Sequence, residues 1–242
     1  MRNASCIRWL AAGAFVVLWL GGIVSYLARG GPPPGAGWAA PAFLSTGAFL
    51  CLAGVAPRSR VPLVWVGAVG WVAEVVGVRS GLPFGRYHYT AALGTGLAGA
   101  PPAMAAAWLI LVAYATHLFS ALPGRRAIRT TVSALWLVLV DLVLDPVASG
   151  PLGFWRWEQP GAYFGVPTAN FAGWFLVGLV AVRIVPDDGG ASPWVLGTGL
   201  AVVGFFTVIA ASRGLLLPGG VGLLLCVLHV AVRRAGSESR RC

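Results

Sequence analysis

The stretch "SALWLVLVDLVLDPVASGPLGFWRWE", residues 133–158, decides the fold. Its first half has the length and apolar character of a membrane-spanning helix, yet it carries Asp141 and Asp145, with Pro146 directly after. A carboxylate at the centre of a bilayer costs about 3 kcal/mol on insertion scales, and such groups usually face a bundle interior or a wet cavity. Two acids four residues apart on a helix share one face, one turn above the other. Pro146 is expected to end or kink the helix after Asp145.

The rest of the chain extends the membrane pattern. Of 242 residues, 58% are hydrophobic and only 10% charged, with a mean hydropathy of +0.82. A soluble domain is roughly a quarter charged, so the composition is that of an integral membrane protein. All 17 basic residues are Arg, and the formal net charge is +10. Excess Arg sets membrane orientation, so the basic balance reads as topology and no nucleic-acid partner is expected. Cys6, Cys51, Cys226 and Cys242 are scattered without metal-type spacing, and no disulfide framework is expected.

A span needs about 20 largely apolar residues. Eight segments qualify, near 8–28, 39–56, 61–78, 101–122, 129–146, 168–186, 193–211 and 214–233. Arg2 and Arg8 precede the first, but it is long, ends in "SYLARGG" and lacks a small-residue cleavage site, so it reads as a retained helix. Only "SRG" separates the last two, and Pro218 interrupts the second, so merging them into seven spans is the alternative. The arginines favour eight. With the N-terminus inside, one side holds Arg2, Arg8, Arg58, Arg60, Arg125, Arg126, Arg129, Arg183, Arg233, Arg234, Arg240 and Arg241, and the other Arg29, Arg79, Arg86, Arg156 and Arg213. This bias places both termini in the cytoplasm. The expectation is an all-α polytopic bundle forming a single membrane domain over 1–242.

That topology brings chemistry together. Glu74, Asp141 and Asp145 fall near outer span ends, beside the two long outer loops 79–100 and 147–167, and Asn170 and Trp174 open the sixth span on the same side. Phe84, Tyr87, Tyr89, Phe154, Trp155, Trp157, Tyr163, Phe164, Phe171 and Trp174 crowd there. Singly they fit an interfacial belt; as a cluster beside buried acids they fit a wall that excludes water and stabilises a cation. Glu74, Asp141, Asp145, Tyr87, Trp157 and Asn170 are expected to surround one cavity. A structural alternative pairs the aspartates with Arg79 or Arg86 or uses them as helix caps. For Glu74, burial and the following Arg79 pull its protonation in opposite directions, leaving open whether it donates a proton or forms an ion pair.

Other motifs carry less. "GTGLAG" (94–99) matches G-x-G-x-x-G, but Pro101 and Pro102 follow and no βαβ pattern surrounds it, so it is a loop. His117 and His229 stand alone near cytoplasmic span ends, and His88 in "GRYHYT" is a candidate proton relay. No metal-ligand pattern appears, so neither metal nor cofactor is expected. The sequon Asn3-Ala4-Ser5 falls on the cytoplasmic side. No internal repeat is apparent.

Two blocks, "EVVGVRSGLPFGRYHY" (74–89) and "DLVLDP…WRWE…YFGVPTANFAGW" (141–174), resemble the carotenoid biosynthesis membrane-protein family that includes carotenoid hydratases. The resemblance covers roughly residues 60–185. It implies addition of water to a terminal double bond of a carotenoid end group, without cofactor, in a multi-pass protein of the cell membrane. Its implied partners are a lipophilic carotenoid or isoprenoid substrate, membrane lipid and other carotenoid-pathway enzymes. The residue roles follow from the chemistry. Hydrating an isolated trisubstituted alkene requires an acid to form a tertiary cation, then a base to take a proton from the attacking water. Asp141, deeper in the span, is the expected donor; Asp145 is expected to hold the water, with Glu74 the third catalytic candidate. Arg79, Arg86, Tyr87, Tyr89, Trp155, Trp157, Tyr163, Asn170 and Trp174 are the substrate-binding candidates. A membrane terpene cyclase, started by the same protonation, is the alternative, and a small-solute or proton-coupled transporter a more distant one.

Overall fold

The computed structural model describes residues 2–187 and 190–238; Arg240, Arg241 and Cys242, named above, lie outside the described residues. Eight helices follow in order: α1 (Arg2–Arg29), α2 (Ala39–Gly54), α3 (Pro57–Ser80), α4 (Ala103–Leu118), α5 (Arg126–Ser149), α6 (Thr168–Ile184), α7 (Pro193–Ser212) and α8 (Leu216–Glu238). Each coincides with one of the eight apolar segments, and the protein is an all-α polytopic membrane bundle. α1, α3, α5, α7 and α8 are long and apolar enough to cross a bilayer. α2, α4 and α6 have 16, 16 and 17 residues, about 24–26 Å at 1.5 Å per residue.

The ends of these helices follow local chemistry. Pro57 and Pro193 occupy first-turn positions of α3 and α7, where the missing N–H costs nothing. The Ser192 hydroxyl accepts from Val195 N–H to cap α7, and α3 stops at Gly81, whose φ of 79° is the left-handed conformation glycine tolerates. Pro218 lies in the first turn of α8, so it starts that helix; α7 and α8 are separate.

Pro146 corrects the first half of the expectation that it ends or kinks the helix. It does not end α5, which continues to Ser149. A proline inside a helix deprives the carbonyl four residues back of its donor. That carbonyl, on Leu142, instead accepts a 3.0 Å hydrogen bond from the Tyr163 hydroxyl. A tyrosine from the following loop thus substitutes for the missing backbone donor.

Packing relies on small residues. α3 lies against α4 with Gly70 facing Trp108; a Cβ on Gly70 would fall 2.1 Å from the indole Cγ. The close approach seats Trp108, fully buried, between α3 and Trp174 of α6. α5 packs on α6, α4, α7 and α8. α1 is the least buried of the five long helices. It is tied on by Trp19 Nε1 donating to Ala201 O at 2.7 Å and Arg213 donating to Tyr26 O at 2.8 Å.

The outer loops meet in a two-stranded antiparallel ribbon, β1 (Tyr87–Tyr89) and β2 (Trp155–Trp157), with Tyr87 opposite Trp157 and Tyr89 opposite Trp155. Thr90 fastens it, its hydroxyl donating to Gly153 O at 2.7 Å.

Candidate functional site

The ribbon explains why "YHY" and "WRW" alternate. Strand side chains point to opposite faces with period two, so Tyr87, Tyr89, Trp155 and Trp157 share one face and His88 and Arg156 the other. The first four face the helix ends, and His88 and Arg156 are exposed. His88 lies 3.9 Å from Glu158 on the outside, away from the acids, so it is no relay to them.

The inward face presents four hydrogen-bond donors to two acids. Glu74, 5% exposed, accepts from the Tyr87 hydroxyl in a short contact, from the Tyr89 hydroxyl at 2.7 Å and from Trp108 Nε1 at 2.9 Å. Burial, and then the neighbouring Glu74 carboxylate, push the Tyr87 and Tyr89 hydroxyls far above the usual tyrosine range; both remain proton-bearing donors. Asp145 Oδ1 accepts from Trp155 Nε1 at 2.9 Å and Trp157 Nε1 at 3.2 Å, and its Oδ2 from Asn170 Nδ2 at 2.6 Å. The same Asn170 nitrogen donates to Asp141 Oδ2 at 2.6 Å. One amide therefore bridges the two aspartates across α5 and α6.

Asp141 differs from the other two acids. It is fully buried, and its Oδ1 has no hydrogen-bond partner. Every other carboxyl oxygen in the cluster is occupied. An unpartnered buried polar atom is costly, typically about 1–3 kcal/mol. Asp141 also borders a cavity of about 550 Å³, within the range of small-molecule sites. Its walls are almost wholly apolar: Phe43, Leu111, Leu144, Trp155, Trp174 and Phe205 line it with Asp141, and α1 contributes Val17, Leu18, Gly21 and Gly22. Trp174 stacks on Trp108 with ring centroids 4.4 Å apart, linking the cavity wall to the Glu74 partner.

The sequence profile of a family described as carotenoid biosynthesis protein matches residues 43–229. The chain belongs to this family. The match extends beyond the 60–185 core that carried the resemblance, into α2, α7 and α8. A bisanhydrobacterioruberin hydratase from Haloarcula japonica is 40% identical over 157 residues, covering 60% of this chain and 53% of that protein. The chain thus aligns with about half the length of that curated relative. No solved structure matches the chain.

In this member of the carotenoid biosynthesis family, the candidate residues divide into three groups. Asp141, Trp155 and Trp174 border the cavity. Glu74, Asp145, Tyr87, Tyr89, Trp157 and Asn170 form the hydrogen-bonded cluster beside it, where the expectation had all of these but Tyr89 around it. Arg79, Arg86 and Tyr163 join neither. Both arginines are exposed and pair with none of the three acids, which removes the ion-pair alternative for the aspartates and for Glu74. Tyr163 is engaged with the Leu142 carbonyl. The sequence reading missed Trp108, hidden in "AMAAAWLILVAY". Its position in mid-span, away from any interfacial belt, and the glycine it needs opposite were the available signals.

Proposed function

We propose that the protein is a carotenoid hydratase of the membrane, adding water to a terminal double bond by acid catalysis with Asp141 as proton donor. The observation that carries this is Asp141 Oδ1, an unpartnered carboxyl oxygen on a residue at the edge of a large apolar cavity. A carboxyl hydrogen needs one oxygen free of donors, and Asp141 has it. Asp145, with three N–H groups aimed at it, suits the acceptor-only carboxylate form. Two carboxyls bridged by one amide hold a single proton more readily than two charges. The proton then resides on Asp141.

The apolar walls suit a lipophilic chain end, and α1, the least buried of the long helices, separates the cavity from lipid. Asp141 has no exposed area, so contact of substrate and water with Oδ1 would require a bordering side chain to move. The Oδ1 proton passes to the less substituted alkene carbon, leaving a tertiary cation. Trp155 and Trp174, which also line the cavity, would stabilise that charge, and water completes the addition. The relative's printed name points to the same reaction type. Both termini in the cytoplasm of a multi-pass cell-membrane protein, with the acids towards the outer face, completes the reading.

A terpene cyclase remains the second reading. Apart from Asp141, the lining residues with polar side-chain atoms are Ser25, Tyr26, Trp155 and Trp174, and a site this dry also suits an internal alkene as nucleophile. One experiment separates the two. The protein is expressed in a host that accumulates acyclic carotenoids, beside Asp141→Asn, and extracted pigments are weighed by mass spectrometry. Hydration adds the mass of one water and cyclisation adds none. Asp141→Asn should accumulate in the membrane with conversion down at least about 10²-fold, the lower range of general acid catalysis. Conversion at the parental rate would remove Asp141 from the chemistry.

A further inference from the structure

The cluster beside the cavity contains three acids, yet the cavity itself meets only one. Hydration needs an acid for the alkene and a base for the water, and the sequence reading gave the second task to Asp145. The geometry argues against it. Asp145 does not border the cavity, and both its oxygens are taken by Trp155, Trp157 and Asn170. Glu74 is excluded in the same way, held by Tyr87, Tyr89 and Trp108. Ser25 and Tyr26 also border the cavity, but a neutral hydroxyl is a poor base for water.

We infer that Asp141 Oδ1 performs both proton transfers, and that hydrogen and hydroxyl therefore add to the same face of the alkene. This rests on the hydratase reading above. The balance closes without another group. The Oδ1–H bond breaks and a C–H bond forms at the less substituted alkene carbon, leaving a tertiary cation beside the Asp141 carboxylate. A water between that carboxylate and the cation then forms the C–O bond and returns one proton to Oδ1. The net change is one water added, and the carboxyl group is again protonated for the next turnover.

The stereochemistry follows from what holds the carboxyl group. Asn170 Nδ2 grips Oδ2 at 2.6 Å and is itself fixed at 2.6 Å to Asp145. The Asp141 carboxyl cannot present its second oxygen from another direction without breaking that bridge. Proton donor and proton acceptor are consequently one atom on one side of the bound chain. The cavity offers no second carboxyl group, and Phe43, Leu111 and Phe205 in its lining supply only hydrocarbon.

The test uses the full-length protein in membranes, heavy water, and an acyclic carotenoid ending in a trisubstituted alkene with one of its two geminal methyls carbon-13 labelled. Hydration creates a carbon bearing deuterium beside a carbon bearing hydroxyl and two distinguishable methyls. Their relative configuration is read by NMR of an ester with a chiral acid. The expected result is a single configuration, that of same-face addition. Opposite-face addition, or a mixture, would overturn the inference while leaving the hydratase reading intact. Absence of any hydrated product would instead sink the hydratase reading, and the inference with it. Asp145→Asn supplies the second arm. Slower hydration with unchanged configuration is expected; deuterium exchange into recovered alkene without hydrated product would make Asp145 the base and overturn the proposal.

Discussion

Replacing Glu74 by Gln separates an acid that holds the site together from one that reacts. Glu74 accepts three hydrogen bonds, two on Oε2 from Tyr87 and Tyr89 and one on Oε1 from Trp108. An indole N–H only donates, whereas a tyrosine hydroxyl donates or accepts. Gln would therefore turn its oxygen to Trp108 and its NH₂ to the two tyrosines, whose hydroxyls rotate to accept. All three contacts survive, and for an ionised Glu74 each changes from charge-assisted to neutral. Hydrogen bonds to charged groups contribute about 1.5–3 kcal/mol and neutral ones about 0.5–1.5, so each loses about 1 kcal/mol. The three together predict destabilisation of about 3 kcal/mol, a little over a hundredfold in the folding equilibrium. Denaturant unfolding of the purified protein in detergent micelles, followed by tryptophan fluorescence, measures it.

Hydration per folded molecule should stay within about tenfold of the parent, because general acid catalysis would cost about 10²–10⁴-fold and Glu74 does not border the cavity. Asp141→Asn should show the reverse pattern, lost turnover with little lost stability. Unchanged stability with abolished hydration in Glu74→Gln would refute the assignment and make Glu74 a participant in the chemistry.

Two further outcomes are expected. Tyr163→Phe leaves the Leu142 carbonyl without its donor and should cost about 1 kcal/mol of stability in the same unfolding assay, with turnover per folded molecule retained; a large loss of turnover would return Tyr163 to the substrate site. Reporter fusions after Arg126 and after Glu158 should report cytoplasmic and non-cytoplasmic locations respectively, and the same side for both would break the eight-span topology.

The helices were legible because a bilayer imposes a coarse, long-range requirement. About 20 apolar residues make a span whatever packs against it, and all eight segments became helices. Pro146 was misread because a local rule assumed that the lost hydrogen bond stays lost; the compensating Tyr163 lies 21 residues away from Leu142. Depth was legible too, since span ends placed Glu74, Asp141, Asp145 and Asn170 at one level. What could not be read was the division of labour among them. Whether an acid reacts or is merely held depends on how many donors reach it, and those donors come from Tyr87 and Tyr89 on one loop and Trp155 and Trp157 on another. Their pairing, Tyr87 opposite Trp157, is a tertiary fact, although the alternation in "YHY" and "WRW" was its visible half.

That division also accounts for a cost that would otherwise be hard to place. Three buried acids near one another disfavour one another's charge, and a purely structural site would be more stable with apolar residues in their positions. The protein surrounds two of them with Tyr87, Tyr89, Trp108, Trp155, Trp157 and Asn170, donors that suit carboxylates, and leaves Oδ1 of Asp141 bare. A carboxylate on Asp145, bridged to Asp141 through Asn170, would favour a proton remaining on the neighbouring carboxyl until an alkene takes it. The same charge favours the cation that follows. Asp145 would thus act on both steps through the field it sets, without touching the substrate, and Asn170 would carry the geometry between them. Spacing alone, four residues on one helix face, had suggested two acids sharing the chemistry; the hydrogen bonds assign the proton to one and the supporting charge to the other.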